Sequence, residues 1–278
     1  MNAQNRIFNS WLIRISSLAL VFVAGTVLFR PNPAILGSLF LAAALAGVLL
    51  LWRGVYILAR NGFISNNPES GKQKKMRLVS GVLRPFLSRS ANMVTALRLL
   101  LVLSGVFLVI SGIRTGAIMI AAGYLFDMLD GALARREFAS TSATAPSFAS
   151  RLGPGFDAES DALALFLSGW ALFALGEASA LALLPASARY AFAPVFVFLP
   201  GEPSFPLWYR LYSKSAAALF QFWISAAWFA YAFEFPPDFR AVLDGPALIT
   251  VSALIILSFT LETLARLHSS FSKAKHAV

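Results

Sequence analysis

The sequence contains no cysteine, and only two of its 278 residues are histidine. Disulfides and thiolate chemistry are therefore excluded. His268 and His276 both lie in the polar C-terminal stretch, which leaves a histidine-ligated zinc site without ligands. Charge is scarce too: 13% of residues are charged against 58% hydrophobic, and the mean hydropathy is +0.71. No ordinary soluble domain of this length has that composition. In place of charge the chain carries repeated apolar runs of about 20 residues, the length a helix needs to cross a bilayer. The runs are continuously apolar rather than alternating, which predicts helices and not a barrel.

Eight spans are expected, near 11–29, 34–59, 93–113, 115–135, 158–176, 178–200, 214–233 and 245–266. The predicted fold class is all-α, a polytopic membrane helix bundle of about eight transmembrane helices in which a six-helix core follows two N-terminal helices. The first run resembles a leader peptide, with Arg6 and Arg14 near its start, but no convincing small-residue cleavage site follows, so it is read as a retained helix. The expected divisions are a two-helix unit over 1–60, a basic linker or interfacial segment over 61–91, the core over 92–266 and a tail over 267–278.

The formal net charge is +10, and the basic residues gather in the 60–90 connection (Arg60, Lys72, Lys74, Lys75, Arg77, Arg84, Arg89) and near the C-terminus (Arg266, Lys273, Lys275). The positive-inside rule puts those segments, and with eight spans both termini, on the cytoplasmic side of a bacterial-type inner or plasma membrane. The simplest partners for this charge are anionic lipid headgroups. Nucleic acid is the weaker reading, because the Lys and Arg are not interleaved with aromatics on a soluble module.

Acidic residues number thirteen, and six of them (Asp127, Asp130, Glu137, Asp157, Glu159 and Asp161) fall within thirty-five positions, in 126-FDMLDGALARRE-137 and 148-FASRLGPGFDAESDALALF-166. Ionisable groups at membrane depth cost several kcal/mol unless paired, so the cluster is a functional-site candidate. Asp127 and Asp130 are spaced i,i+3, and Asp157 and Asp161 i,i+4, so each pair projects from one helix face. Two antiparallel helices presenting these faces to each other would bring four carboxylates together, and cations would have to offset their repulsion. Oxygen-only ligands suit Mg²⁺ or Mn²⁺, and four carboxylates can hold two such ions, a familiar device for gripping a diphosphate. Gly131 permits close approach to the backbone, and Arg135 offers a fork of donors matched to phosphate oxygens. Glu159, by helical spacing, points away from its neighbours and is expected to be solvated.

The pattern Asp127-x2-Asp130-Gly131-x2-Ala134-Arg135 followed by Gly153-x3-Asp157-x3-Asp161 resembles the signature of the CDP-alcohol phosphatidyltransferases, integral membrane enzymes of phospholipid synthesis. All eight signature positions are filled. The segment 91-ANMVTALRLL-100 resembles the one that opens the family's first core helix, and Ser150 stands where the family often carries a hydroxyl. The resemblance covers about residues 88–266 and leaves the first eighty outside. The departure is seventeen residues between Arg135 and Gly153, where the family usually has about eight or nine; 138–149 reads as a loop insert.

The resemblance implies a transfer of a phosphatidyl group from a CDP-linked lipid, most often CDP-diacylglycerol, to the hydroxyl of a small polar alcohol, with release of CMP. It implies two divalent ions on Asp127, Asp130, Asp157 and Asp161, with Asp161 as general base. It also implies nucleotide or CDP-lipid contacts from Asn92, Thr95, Gly131, Ala134, Arg135, Ser150 and Gly153. Arg189, inside an apolar run, and Arg210 and Lys214, near the start of the next span, are candidates for binding an acceptor that carries phosphate, such as glycerol 3-phosphate. The resemblance brings a homodimer into view as a candidate assembly.

Trp170, Trp208, Trp223 and Trp228 are expected to be lipid-facing or interfacial belt residues. The small-residue runs 41-LAAALAG-47 and 215-SAAAL-219 are expected at close helix contacts. Two other function classes stay open at this point. A membrane prenyltransferase also grips diphosphates with aspartates and Mg²⁺, although its motifs lack the Gly-x2-Ala-Arg continuation. In an ion-coupled transporter the aspartates would line a pathway, but they sit at one interface rather than near the midplane and no inverted repeat is visible.

Overall fold

The computed structural model describes residues 90–126, 148–199 and 205–275, and among them there is no strand. Among these residues six apolar helices carry the architecture: α1 Ser90–Ile110, α2 Thr115–Phe126, α3 Phe148–Leu175, α4 Leu183–Phe198, α5 Leu207–Ala232 and, after the short α6 Pro237–Val242, α7 Leu248–Lys275. The chain is all-α, as its composition predicts. Among the described residues three segments are long and apolar enough to cross a membrane: Met93–Ile110, Asp157–Leu175 and Pro237–Ser270. The expected spans 11–29 and 34–59, the linker up to residue 89, and the run 41–47 lie outside the described residues.

The helix boundaries depart from the sequence expectation in instructive ways. The span expected at 214–233 begins earlier, at Leu207 directly after Pro206, so that Arg210 and Lys214 fall inside α5. Long cationic side chains can extend along a helix toward the interface, so their charge does not end it. The span expected at 178–200 opens with a 3₁₀ turn at Ala180–Ala182 before α4. A kink within Leu243–Ala247, where Gly245 leaves the helical backbone conformation just before Pro246, leads into α7, which runs well past the expected end at 266.

Helix α3 is the hub: it packs against α1, α4 and α5, while α7 packs against α4 and α5. Its Asp157–Leu175 segment is 72% buried inside the bundle, against 39% for the α1 segment and 28% for the last. Carboxylates on α3 therefore face other helices more than lipid. Leu167, Trp170 and Leu172 of α3 are fully enclosed with Val102, Val106, Ile120, Phe220, Ile224, Trp228 and Leu248. Trp170, Trp223 and Trp228 are thus core residues and not belt residues, and only Trp208 of the four is exposed. The correction is geometric, since a large flat ring fills the gap between crossing helices, and the indole of Trp223 donates to the Leu243 carbonyl at 2.8 Å. In 215-SAAAL-219 only Ala216 is buried.

Helices α1 and α2 form a hairpin that closes at glycine. A Cβ on Gly105 would lie 2.5 Å from the Gly116 carbonyl oxygen, and a Cβ on Gly123 would lie 2.7 Å from a Val102 methyl. Only hydrogen fits at such distances. At the hairpin turn Gly112 takes φ +83°, and the Ile113 and Gly112 amides donate back to Leu108 and Val109, a capping geometry that satisfies the last carbonyls of α1. Gly176, φ +79°, ends α3 in the same way, through Leu172 and Phe173.

This end of the bundle is laced by polar contacts between its connections. Arg114 of the α1–α2 turn pairs with Glu234 after α5. Arg240 of α6 donates to Glu177 after α3 at 2.9 Å, and Asp244 accepts from the Ser179 amide at 2.6 Å. Glu234 itself holds φ +51°, an unusual conformation for a residue with a side chain.

Candidate active site

At the other end of α3, roughly 27 Å away at 1.5 Å per helical residue, stand Asp157 and Asp161. Their i,i+4 spacing puts both carboxylates on the face turned to α1, whose buried stripe of Leu99, Val102, Val106 and Val109 continues at this end as Thr95 and Arg98. Arg98 is the lone charge in its apolar helix and is 2% exposed. One of its terminal nitrogens, Nη2, lies 3.2 Å from Asp157 Oδ1 and also contacts Asp161 Oδ1. Thr95, 2% exposed, donates its hydroxyl to the same Asp157 oxygen at 3.3 Å. The carboxylates retain open surface, with side-chain exposures of 45% for Asp157 and 25% for Asp161.

Nearby, Tyr124 near the end of α2 donates to Ser168 of α3 at 2.8 Å, both residues being buried. This bond fixes the end of α2 against α3 three residues before Asp127. Asp127, Asp130, Gly131, Ala134 and Arg135 lie outside the described residues, and at Asn92, Ser150 and Gly153 only the helical backbone is described. Among the described residues no three His, Cys, Asp or Glu side chains converge. The donors present suit a hard divalent cation: two carboxylates on one face, partly open, with no histidine or cysteine beside them among the described residues. An open cleft lined by Arg114, Glu177, Glu234, Arg240 and Asp244 belongs to the opposite end of the bundle.

Glu159 corrects the expectation of a solvated side chain. It does point away from Asp157 and Asp161, but that face of α3 is covered by α4, and the residue is only 4% exposed. Its carboxylate pairs with Arg189 of α4, which is 40% exposed. Two atoms of the pair, Glu159 Oε2 and Arg189 Nε, are buried without a hydrogen-bond partner. Arg189 is therefore offset by a carboxylate. Arg210 and Lys214 lie one turn apart and exposed on α5, and neither forms an ion pair among the described residues.

Arg98 is the residue that sequence reasoning passed over. The signal was there, a single charge inside an apolar run three residues after Thr95, since intramembrane charges are rare without a partner.

The family model described as CDP-alcohol phosphatidyltransferase matches residues 89–231, just over half of the chain and the stretch that carries α1 to α5. The chain belongs to this family. Searches of curated proteins and of solved structures find no match. Members of the CDP-alcohol phosphatidyltransferase family transfer a phosphatidyl group from a CDP-alcohol to an alcohol, act in membranes and generally use divalent Mg or Mn. The pairing of α1 with the Asp157–Asp161 face falls within the matched residues.

Proposed function

We propose that this phosphatidyltransferase takes CDP-diacylglycerol as donor and a small polar alcohol as acceptor. The observation that carries the reading is the convergence of Thr95 and Arg98 with Asp157 and Asp161 at one end of the central helix. In this reading Asp127, Asp130, Asp157 and Asp161 hold two divalent cations, while Asn92, Thr95, Gly131, Ala134, Arg135, Ser150 and Gly153 line the CDP-lipid site. Bound Mg²⁺ or Mn²⁺ would neutralise the diphosphate and the charge that develops on departing CMP.

The acceptor oxygen attacks the phosphorus that bears the diacylglycerol. One O–P bond forms, the bond from that phosphorus to the oxygen shared with the cytidylate breaks, and CMP leaves with the electron pair. The acceptor's proton goes to the Asp161 carboxylate, which acts as general base. Asp161 is less exposed than Asp157, which favours a step partly sheltered from water.

For an acceptor carrying phosphate, such as glycerol 3-phosphate, recognition falls mainly to Arg210 and Lys214, with Arg189 contributing less because Glu159 offsets it. The basic connections support a site at the cytoplasmic face with both termini on that side. The first sixty residues lie outside the stretch matched by the family model and are proposed as an accessory unit, with a homodimer as the proposed assembly.

The test is CMP release by purified protein in mixed micelles with CDP-diacylglycerol and Mg²⁺ or Mn²⁺, offering glycerol 3-phosphate, inositol phosphate, serine and choline in parallel. CMP and a matching lipid product with one acceptor, both lost in Asp161→Asn, are expected. Absence of CDP-diacylglycerol binding in the presence of metal would overturn the reading.

A further inference from the structure

We propose that Arg98 is the positioning residue of the divalent-cation site, holding one oxygen of Asp157 and one of Asp161 so that the second oxygen of each is presented to the cation. The inference rests on the reading of those aspartates as metal ligands and adds to it a residue outside the family signature.

Two carboxylates one turn apart on a helix repel each other, and without a partner they settle in rotamers that diverge. Here a single nitrogen of Arg98 reaches Oδ1 of both. Thr95 donates to Oδ1 of Asp157 as well, so these three contacts from α1 reach one atom, Oδ1, of each carboxylate. A carboxylate can ligate a metal through one oxygen while the other accepts a hydrogen bond from an outer partner that fixes its orientation.

The exposures separate the roles. The guanidinium-bearing side chain is 2% exposed, whereas Asp157 and Asp161 are 45% and 25% exposed, so a cation reaches the carboxylates without passing Arg98. The backbone that carries Arg98 is held closely too. Helix α1 packs along α3, and α2 presses on α1 close by, where a Cβ on Gly123 would stand 3.4 Å from the Arg98 carbonyl oxygen. A residue that merely filled the cation's place would have to leave when the cation arrived; this one is enclosed on the side away from the opening.

The experiment measures Mn²⁺ affinity, without donor lipid, by the electron paramagnetic resonance signal of free Mn²⁺ titrated into full-length protein in detergent micelles. Arg98→Met removes the donors and keeps an apolar stem, while Arg98→Lys keeps the charge on a shorter, more strongly hydrated head without the rigid guanidinium plane, so it holds the two carboxylates less closely. Loss of an outer partner typically weakens metal binding about 10–100-fold. That loss is expected for Arg98→Met, with a smaller one for Arg98→Lys. CMP release by Arg98→Lys should also recover when Mn²⁺ is raised, which a general folding defect would not allow. Should Arg98→Met fail to fold, the Arg98→Lys titration alone decides.

Unchanged or tighter Mn²⁺ binding in a folded Arg98 variant overturns the proposal, since it makes Arg98 a bystander or a competitor of the cation. Asp157→Asn and Asp161→Asn separate this failure from that of the underlying reading. If both bind Mn²⁺ as the unsubstituted protein does, the aspartates are not ligands and both inferences fall.

Discussion

Glu159 of α3 and Arg189 of α4 pair on the side of α3 turned away from Asp157 and Asp161, with the carboxylate almost wholly enclosed and the guanidinium partly open. That asymmetry makes the two partners unequal. Arg189→Met strands a buried carboxylate, and breaking a buried pair in this way costs roughly 3–5 kcal/mol in soluble proteins. Glu159→Gln leaves an arginine that can turn toward water. Thermal unfolding in detergent should therefore show a larger drop in Tm for Arg189→Met than for Glu159→Gln, with the double variant recovering part of the loss. Equal and additive effects would mean that the pair contributes no coupling.

The crossing of α1 and α2 should be intolerant of side chains. Gly116→Val sets a branched group against the Gly105 carbonyl oxygen, which a Cβ at that position would already approach to 2.4 Å. Overpacking of this kind costs about 1–3 kcal/mol. The expected result is a lower Tm together with weaker Mn²⁺ binding, because the same crossing positions Arg98. A Tm equal to that of the unsubstituted protein would show that the hairpin relaxes freely.

Arg210→Ala combined with Lys214→Ala tests the acceptor assignment. Removing two exposed cations that bind a phosphate equally in ground and transition states raises KM and leaves kcat nearly unchanged. An increase of about tenfold or more in KM for a phosphorylated acceptor is expected, on the basis that 1.4 kcal/mol corresponds to a factor of ten. The KM for CDP-diacylglycerol should not move. A fall in kcat with unchanged acceptor KM would remove these residues from acceptor binding.

Gly176→Ala probes the turn that ends α3. At φ +79° a side chain is strained by about 1–2 kcal/mol. The loss should appear in thermal stability while Mn²⁺ affinity stays unchanged, since Gly176 lies at the end of α3 away from Asp157. A change in metal affinity would mean that the two ends of the bundle are coupled.

Long apolar runs made the helices readable, and i,i+3 and i,i+4 spacing made the aspartate pairs readable, because both are local properties of the chain. Arg98 was not read because its partners are 59 and 63 residues away, and periodicity says nothing about which helix covers which face. Glu159 failed for the same reason: its direction followed from the helical wheel, but the presence of α4 on that side did not. The three buried tryptophans show the limit most plainly. In a helix that is apolar all round, hydropathy cannot distinguish a ring that meets lipid from a ring that meets another helix, and Trp170 and Trp228, both fully enclosed, are composed no differently from exposed Trp208.

The contacts of Arg114 with Glu234, Arg240 with Glu177, and Asp244 with the Ser179 amide tie together the connections of three separate helix pairs at the end remote from the aspartates. A bundle fastened there behaves like a pair of tongs gripped at the pivot. If the donor lipid binds beside Asp157 and Asp161 as proposed, helices parting there to admit it would disturb these ties least, because the ties lie at the opposite end of α3.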